Sequence, residues 1–181
     1  LSERAAFLGA VNTVRRNAQG QWEGDMFDGL GYVRALEKNG CQPRGLRALL
    51  VGAGGAGSAI AHSLVQAGVS HLTVVDPEPS RRDPLVQRLA ALGMGTVQAG
   101  EAKAEGYALV INATPLGMRE GDPLPVALAG LTPQTHVGCV ITAPAISPLI
   151  AGARALGCAT TTGADMFAQV RELMVQFLLE A

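Results

Sequence analysis

Between the short apolar run Arg47–Val51 and an amphipathic segment, Ser58–Ala67, the chain passes through Gly52-Ala53-Gly54-Gly55-Ala56-Gly57. A GxGxxG turn that closes a strand and opens a helix constrains the fold more than any other feature here, because each glycine has a separate task. Gly52 permits the tight turn, Gly54 lets a pyrophosphate approach the backbone, and Gly57 allows the helix to lie close to the strand. The first N–H groups of the helix have no intrahelical partner and carry positive dipole, which suits an anion. Ala53, Gly55 and Ala56 complete the loop that would cradle it.

The flanking pattern extends this unit. His71–Val75 reads as a second strand that ends at Asp76-Pro77, and Asp83–Leu92 as a second helix with Leu85, Val86, Leu89 and Leu92 on one stripe. Further strand-like runs fall at Thr96–Ala99, Ala108–Asn112, His136–Ile141 and Ala159–Thr162, with helical segments at Leu149–Leu156 and Asp165–Glu180. Such alternation predicts an α/β fold, a Rossmann-type doubly wound parallel sheet with flanking helices. Ahead of the turn, residues 9–16 read as a strand leading into a hairpin turn at Asn17–Gly20, and Asp28–Lys38 as a helix with Asp28 as its N-cap and Gly40 as its stop.

Asp76 lies 22 residues beyond Gly54. A carboxylate there accepts both ribose hydroxyls of an adenosine, whereas a 2′-phosphate would face a like charge, so NAD is preferred over NADP. Arg81 and Arg82 stand close enough in sequence to turn towards a phosphate, which keeps NADP open.

Several classes of function are disfavoured. A net charge of −1 with scattered Lys and Arg gives no footprint for a nucleic-acid backbone. No apolar stretch approaches the 18 or so residues of a membrane span. Cys41, Cys139 and Cys158 are odd in number and widely spaced, which suits buried thiols rather than disulfides, and His62, His71 and His136 share no metal-ligand spacing, so no metal is expected. The chain opens without Met and without a basic segment leading into an apolar one, which reads as an excerpt of a longer chain and favours the cytoplasm.

Three more segments, in order with the glycine turn, carry a resemblance: Gly9-Ala10-Val11-Asn12-Thr13, Gly24-Asp25-Met26-Phe27-Asp28-Gly29, and Asn112-Ala113-Thr114-Pro115-Leu116-Gly117-Met118. Together they resemble the shikimate/quinate dehydrogenase family from Leu1 to the final helix. The resemblance implies an NAD(P)-dependent oxidoreductase that interconverts 3-dehydroshikimate and shikimate, or quinate and 3-dehydroquinate. It implies that Asp28 is catalytic, holding a Lys ammonium and binding substrate, that Asn12 and Gln169 also bind substrate, and that Asn112, Thr114, Met118 and Gly163 lie on the cofactor side. Residues 1–27 would then be the end of a substrate-domain region with its connecting strand, and 28–181 the dinucleotide-binding domain, its last helix returning to the substrate side. The N-terminal Ser-x-Ser element and the lysine of such enzymes have no recognisable counterpart here, so an N-terminal substrate domain is expected as the missing partner. The substrate would be a small hydroxy acid, and the assembly a monomer or homodimer.

This chain departs from the family's pattern. Met26 and Phe27 stand where the family has an Asn-Thr pair, which removes two hydrogen-bonding side chains beside the substrate, and Pro77 stands where NADP-using relatives have Arg, which supports NAD. Thr142-Ala143-Pro144 replaces a Tyr-Asn-Pro sequence, and ungapped counting from Gly163 puts the family's Gln at Val170, one residue or about 100° of helix from Gln169. Two other classes stay open: a non-catalytic nucleotide-binding module, and a dehydrogenase of related fold with another substrate, such as methylene-tetrahydrofolate.

Overall fold

The computed structural model describes residues 1–180. Its first element is a helix absent from the sequence reading, α1 (Glu3–Leu8), capped by the Ser2 hydroxyl, which accepts the Ala5 N–H, and stopped at Gly9. Six residues present too short a stripe for periodicity to reveal. β1 (Thr13–Arg16) and β2 (Trp22–Asp25) pair antiparallel about the expected hairpin turn, the second strand having gone unread.

Next comes α2 (Asp28–Lys38), with Phe27 rather than Asp28 at the N-cap and no side-chain cap bond. Asp28 is therefore the first helical residue, and its carboxylate is free for other partners. β3 (Arg47–Val51) leads through the glycine turn into α3 (Gly55–Gln66), which begins three residues before Ser58, so the last glycines of the turn form the first helical turn. After β4 (His71–Val75), α4 (Pro79–Ala90) likewise starts ahead of the expected Asp83. Pro79 suits a first helical position, where the missing N–H is not needed, while Pro84 inside the helix made a later start look natural. The remaining elements, β5 (Thr96–Ala99), β6 (Leu109–Asn112), β7 (His136–Cys139), α5 (Pro148–Ala155), β8 (Ala159–Thr161) and α6 (Gly163–Leu179), fall within two residues of expectation.

Strands β3 to β8 form one parallel sheet in the order β5-β4-β3-β6-β7-β8. Strand order reverses between β3 and β6, so a crevice opens above their carboxyl ends, where doubly wound sheets bind ligands. Alternating residues of β3 feed two cores. Ala48 and Leu50 face α2, α3, α4 and α6 with Tyr32, Ile60, Leu64 and Val170, while Leu49 and Val51 face α5 with Ile150 and Ala153. The β5–β6 and β6–β7 connections contain no helix, and the second core is finished by irregular chain carrying Ala104, Val126 and Leu131.

Close approach on the first face depends on missing side chains. A Cβ on Gly29 would lie 2.0 Å from the Ala59 carbonyl oxygen of α3, and one on Gly31 would lie 2.4 Å from Val170 Cγ2 of α6. Gly138 of β7 makes the notch that admits the Tyr32 hydroxyl, fully buried and without a hydrogen-bond partner. All three cysteines are free and buried. No helix of the described residues is long and apolar enough to cross a membrane, and no three His, Cys, Asp or Glu side chains among them converge on a point that could hold a metal.

Candidate functional site

The crevice is bordered by three segments, each pinned by a polar side chain. The first is the glycine turn. Gly52 adopts φ +108°, a conformation that side chains other than glycine's rarely allow, and a Cβ there would sit 2.8 Å from the Ala113 carbonyl. A Cβ on Gly57 would lie 2.1 Å from the Gly52 oxygen, so the helix could not start where it does with any other residue. Gly54 and Gly55 face open space, and their side of the turn, at the N-terminus of α3, is free to receive an anion.

Asp76, at the end of β4, is the second pin. Only 6% exposed, it accepts the Ala53 N–H at 2.8 Å and the Glu78 N–H at 2.9 Å, and Arg81 Nη2 lies 3.3 Å from its Oδ1. Burial alone would raise the pKa of this carboxyl, but the two N–H donors with Arg81 and Arg82 outweigh it and hold the group below the usual carboxylate range. The arginine that was free to turn towards a phosphate is thus already paired with the carboxylate, while Arg82 pairs with Asp83 at 2.7 Å.

The third segment follows β6. Asn112 is 0% exposed, and all its hydrogen-bonding positions are spent locally. Its Nδ2 donates to the Leu116 oxygen and to Cys139 Sγ, and its Oδ1 accepts from the N–H and hydroxyl of Thr114. Asn112 therefore shapes the loop from inside it, while Thr114 is half-buried and Met118 is exposed. Gly163, at the start of α6, lies against the Ile141 carbonyl, 2.2 Å from where its Cβ would be, and acts as a contact between helix and strand end.

A separate pair sits where the hairpin meets α2. Asn12 Nδ2 donates to Asp28 Oδ1 at 2.7 Å, and Asn12 Oδ1 accepts the Phe27 N–H at 3.2 Å. Both residues are half-buried, and Asp28 Oδ2 has no partner among the described residues. Burial raises the Asp28 pKa, with the Asn12 bond opposing it. The buried Asp25 accepts from Ser2 and from Arg4, the latter at 2.8 and 2.5 Å, and so locks α1 to the end of β2. The sequence reading missed this clamp, although Arg4 and Asp25 are an unpaired-looking cation and anion flanking a hairpin.

Met26 and Phe27 do not line the surface beside Asn12 and Asp28. Met26 packs on Ala5 and Ala59, and Phe27 is buried edge-on to Phe177. Both side chains consequently serve packing. Gln169 is buried on α6, next to the Val170 that packs on Gly31 of α2, and lines a small cleft with Arg34, Lys38 and Glu172. The chain has two lysines, Lys38, paired with Glu172, and Lys103, paired with Glu101, and Asp28 is the partner of neither. A cleft of about 750 Å³ lies elsewhere, between α1, α2 and α3, and reaches neither the glycine turn nor the Asn12–Asp28 pair. Converging backbone N–H groups and a positioned carboxylate identify a binding site better than volume does.

Comparison with known proteins agrees with this geometry. A model of the ThiF family matches residues 37–80, which span the glycine turn and Asp76. A shikimate dehydrogenase (NADP(+)) of Rhodospirillum rubrum is 38% identical over 173 residues, 92% of this chain and 61% of that protein. Among solved structures, the ligand-free 5-ketofructose reductase of Gluconobacter sp. strain CHM43 superposes with a TM-score of 0.91 at 32% identity, over 99% of this chain and 66% of that one. The quinate dehydrogenase of Corynebacterium glutamicum in complex with NAD gives a TM-score of 0.88 at 34% identity, with the same coverage. The chain spans 61% of the length of the curated relatives it matches first.

Proposed function

Since this chain is a homologue of the shikimate and quinate dehydrogenases over nine-tenths of its length, we propose that it is the cofactor-binding part of an NAD(P)-dependent oxidoreductase that interconverts a ring ketone and its alcohol, as between 3-dehydroshikimate and shikimate or between quinate and 3-dehydroquinate. One observation carries the reading: the open side of Gly54 and Gly55 stands at a helix N-terminus opposite a buried carboxylate at the next strand's end. The nicotinamide, when bound, supplies or accepts the hydride. The chain's own residues hold it. The turn's N–H groups take the pyrophosphate, Asp76 takes the adenosine ribose, and Thr114 and Met118 flank the nicotinamide half.

In this reading NAD is the preferred cofactor, because Asp76 is charged and its neighbouring guanidinium is already neutralised. Asn12 and Asp28 orient substrate hydroxyls through the amide and the free carboxylate oxygen. Neither Lys38 nor Lys103 is placed to move the proton at the reacting oxygen, so residues 1–27 are assigned to the edge of a substrate domain, and a polypeptide region outside these 181 residues supplies the acid–base group. The partner is thus a small hydroxylated substrate together with that domain, in the cytoplasm.

A second reading has one specific support. The 5-ketofructose reductase overlays this chain with a TM-score of 0.91, and the family's Asn-Thr pair is replaced by buried Met26 and Phe27, so the substrate can instead be an open or cyclic ketose. Calorimetric titration with NAD and NADP, alone and with shikimate, quinate or fructose added, tests both readings. NAD binding tighter than NADP supports the cofactor assignment, and an acid or a sugar that changes it identifies the substrate class. Failure to bind either dinucleotide refutes the proposal.

A further inference from the structure

The proposed dinucleotide site is asymmetric about the glycine turn. Asp76 at the end of β4 fixes the adenosine side, so the other half of an extended dinucleotide runs the opposite way, above the carboxyl ends of β6 and β7. Residues 113–122 stand there. They begin against the turn, at Ala113 beside Gly52, and reach Ile141 and Ser147 through Gly117. With no helix or strand in this stretch, side chains must satisfy its backbone and set its shape.

Asn112 does this at one end. At the other, Asp122 Oδ2 accepts the N–H groups of Gly117 and Arg119, each at 3.0 Å. These bonds close a tight loop whose tip is Met118, 54% exposed. Gly117 lies at φ +102°, so the loop can take this shape only with glycine there and an acceptor opposite. The N–H groups of Arg119 and then Gly117 also hold the Asp122 carboxyl below its ordinary pKa, as expected for an acceptor of backbone bonds.

We propose that Asp122 is a positioning residue for the nicotinamide half of the bound dinucleotide: by holding the backbone on both sides of Met118, it presents that side chain and its loop to the ring, without itself touching the ligand. The inference rests on the reading of the glycine turn as a dinucleotide site. It separates from a purely structural role because ADP-ribose carries the adenosine and pyrophosphate but no nicotinamide.

The test is calorimetric titration of the 181-residue chain and of its Asp122→Ala and Asp122→Asn variants with NAD and with ADP-ribose. Asp122→Ala is expected to weaken NAD about fivefold while ADP-ribose stays within about twofold. Asp122→Asn keeps an acceptor oxygen, so it is expected to recover most of the loss. Unchanged NAD binding, or NAD and ADP-ribose weakened equally in both variants, would overturn the proposal. A wild-type chain that binds neither ligand would instead overturn the dinucleotide site on which it rests.

Discussion

Asp76 pins the turn with a carboxylate that, in the proposed function, also meets the ligand. Two of its roughly four lone-pair positions are met by the Ala53 and Glu78 N–H groups, with Arg81 ion-paired alongside, which leaves acceptor positions for the ribose of the proposed ligand. Replacing it with alanine removes the ribose acceptor and frees Arg81 for a phosphate. Asp76→Ala is therefore expected to weaken NAD about tenfold or more and NADP distinctly less, read as the ratio of dissociation constants by calorimetry. Equal losses would assign Asp76 to the turn alone. This residue was legible because its spacing from the glycines is fixed by strand and helix length. The loop bonds of Asn112 and Asp122 were not legible in the same way: apart from Cys139, their partners lie two to five residues away and are mostly backbone groups, and nothing in residue type distinguishes such a bond from an ordinary loop. The bare Tyr32 hydroxyl was equally hidden, since a helical stripe reads tyrosine and phenylalanine alike.

At the scale of elements, the helices that carry the site are positioned by contacts too close for side chains. α2 brings Asp28 to the surface only because Gly29 lets it press on the Ala59 carbonyl of α3. Gly29→Ala has nowhere to put its methyl against backbone and is expected to destabilise the chain by about 1–3 kcal/mol, measured from urea unfolding midpoints. A change below about 0.5 kcal/mol would mean the helices slide apart freely. Glycine in a helical pattern signals such contacts only weakly, so the sequence indicated α2 and α3 but not that one rests on the other. The glycine turn itself was read correctly as strand, turn and helix because three levels agree there: strand pattern, turn chemistry and helix stripe. α1 and β2 had no such redundancy, and α4 was misplaced at its start because Pro84 looks like a boundary.

For the molecule as a whole, buried histidines link stability to pH. Burial lowers the pKa of His62, with a smaller contribution from Arg4, and burial alone lowers that of His136, which is tied to Thr161 at 2.8 Å. Both titrate near 6.5 when unfolded, so below that pH the unfolded chain binds more protons and stability falls as pH falls, until the folded values are passed. Asp76, Asp122 and Asp165, with lowered values, contribute stability above about pH 3.8 that is lost on further acidification, while Asp28, with a raised value, acts in the opposite sense. Urea midpoints measured from pH 8 to pH 5 are expected to decline, the fall beginning near 6.5. A level profile across that range would show that neither histidine is held neutral by the fold. The bonds that pin the crevice have a kinetic meaning as well. With the turn, the strand end and the loop each fastened by side chains, capture of the proposed dinucleotide is expected to require no ordering of these segments, its rate being set by diffusional encounter and orientation rather than by a folding step.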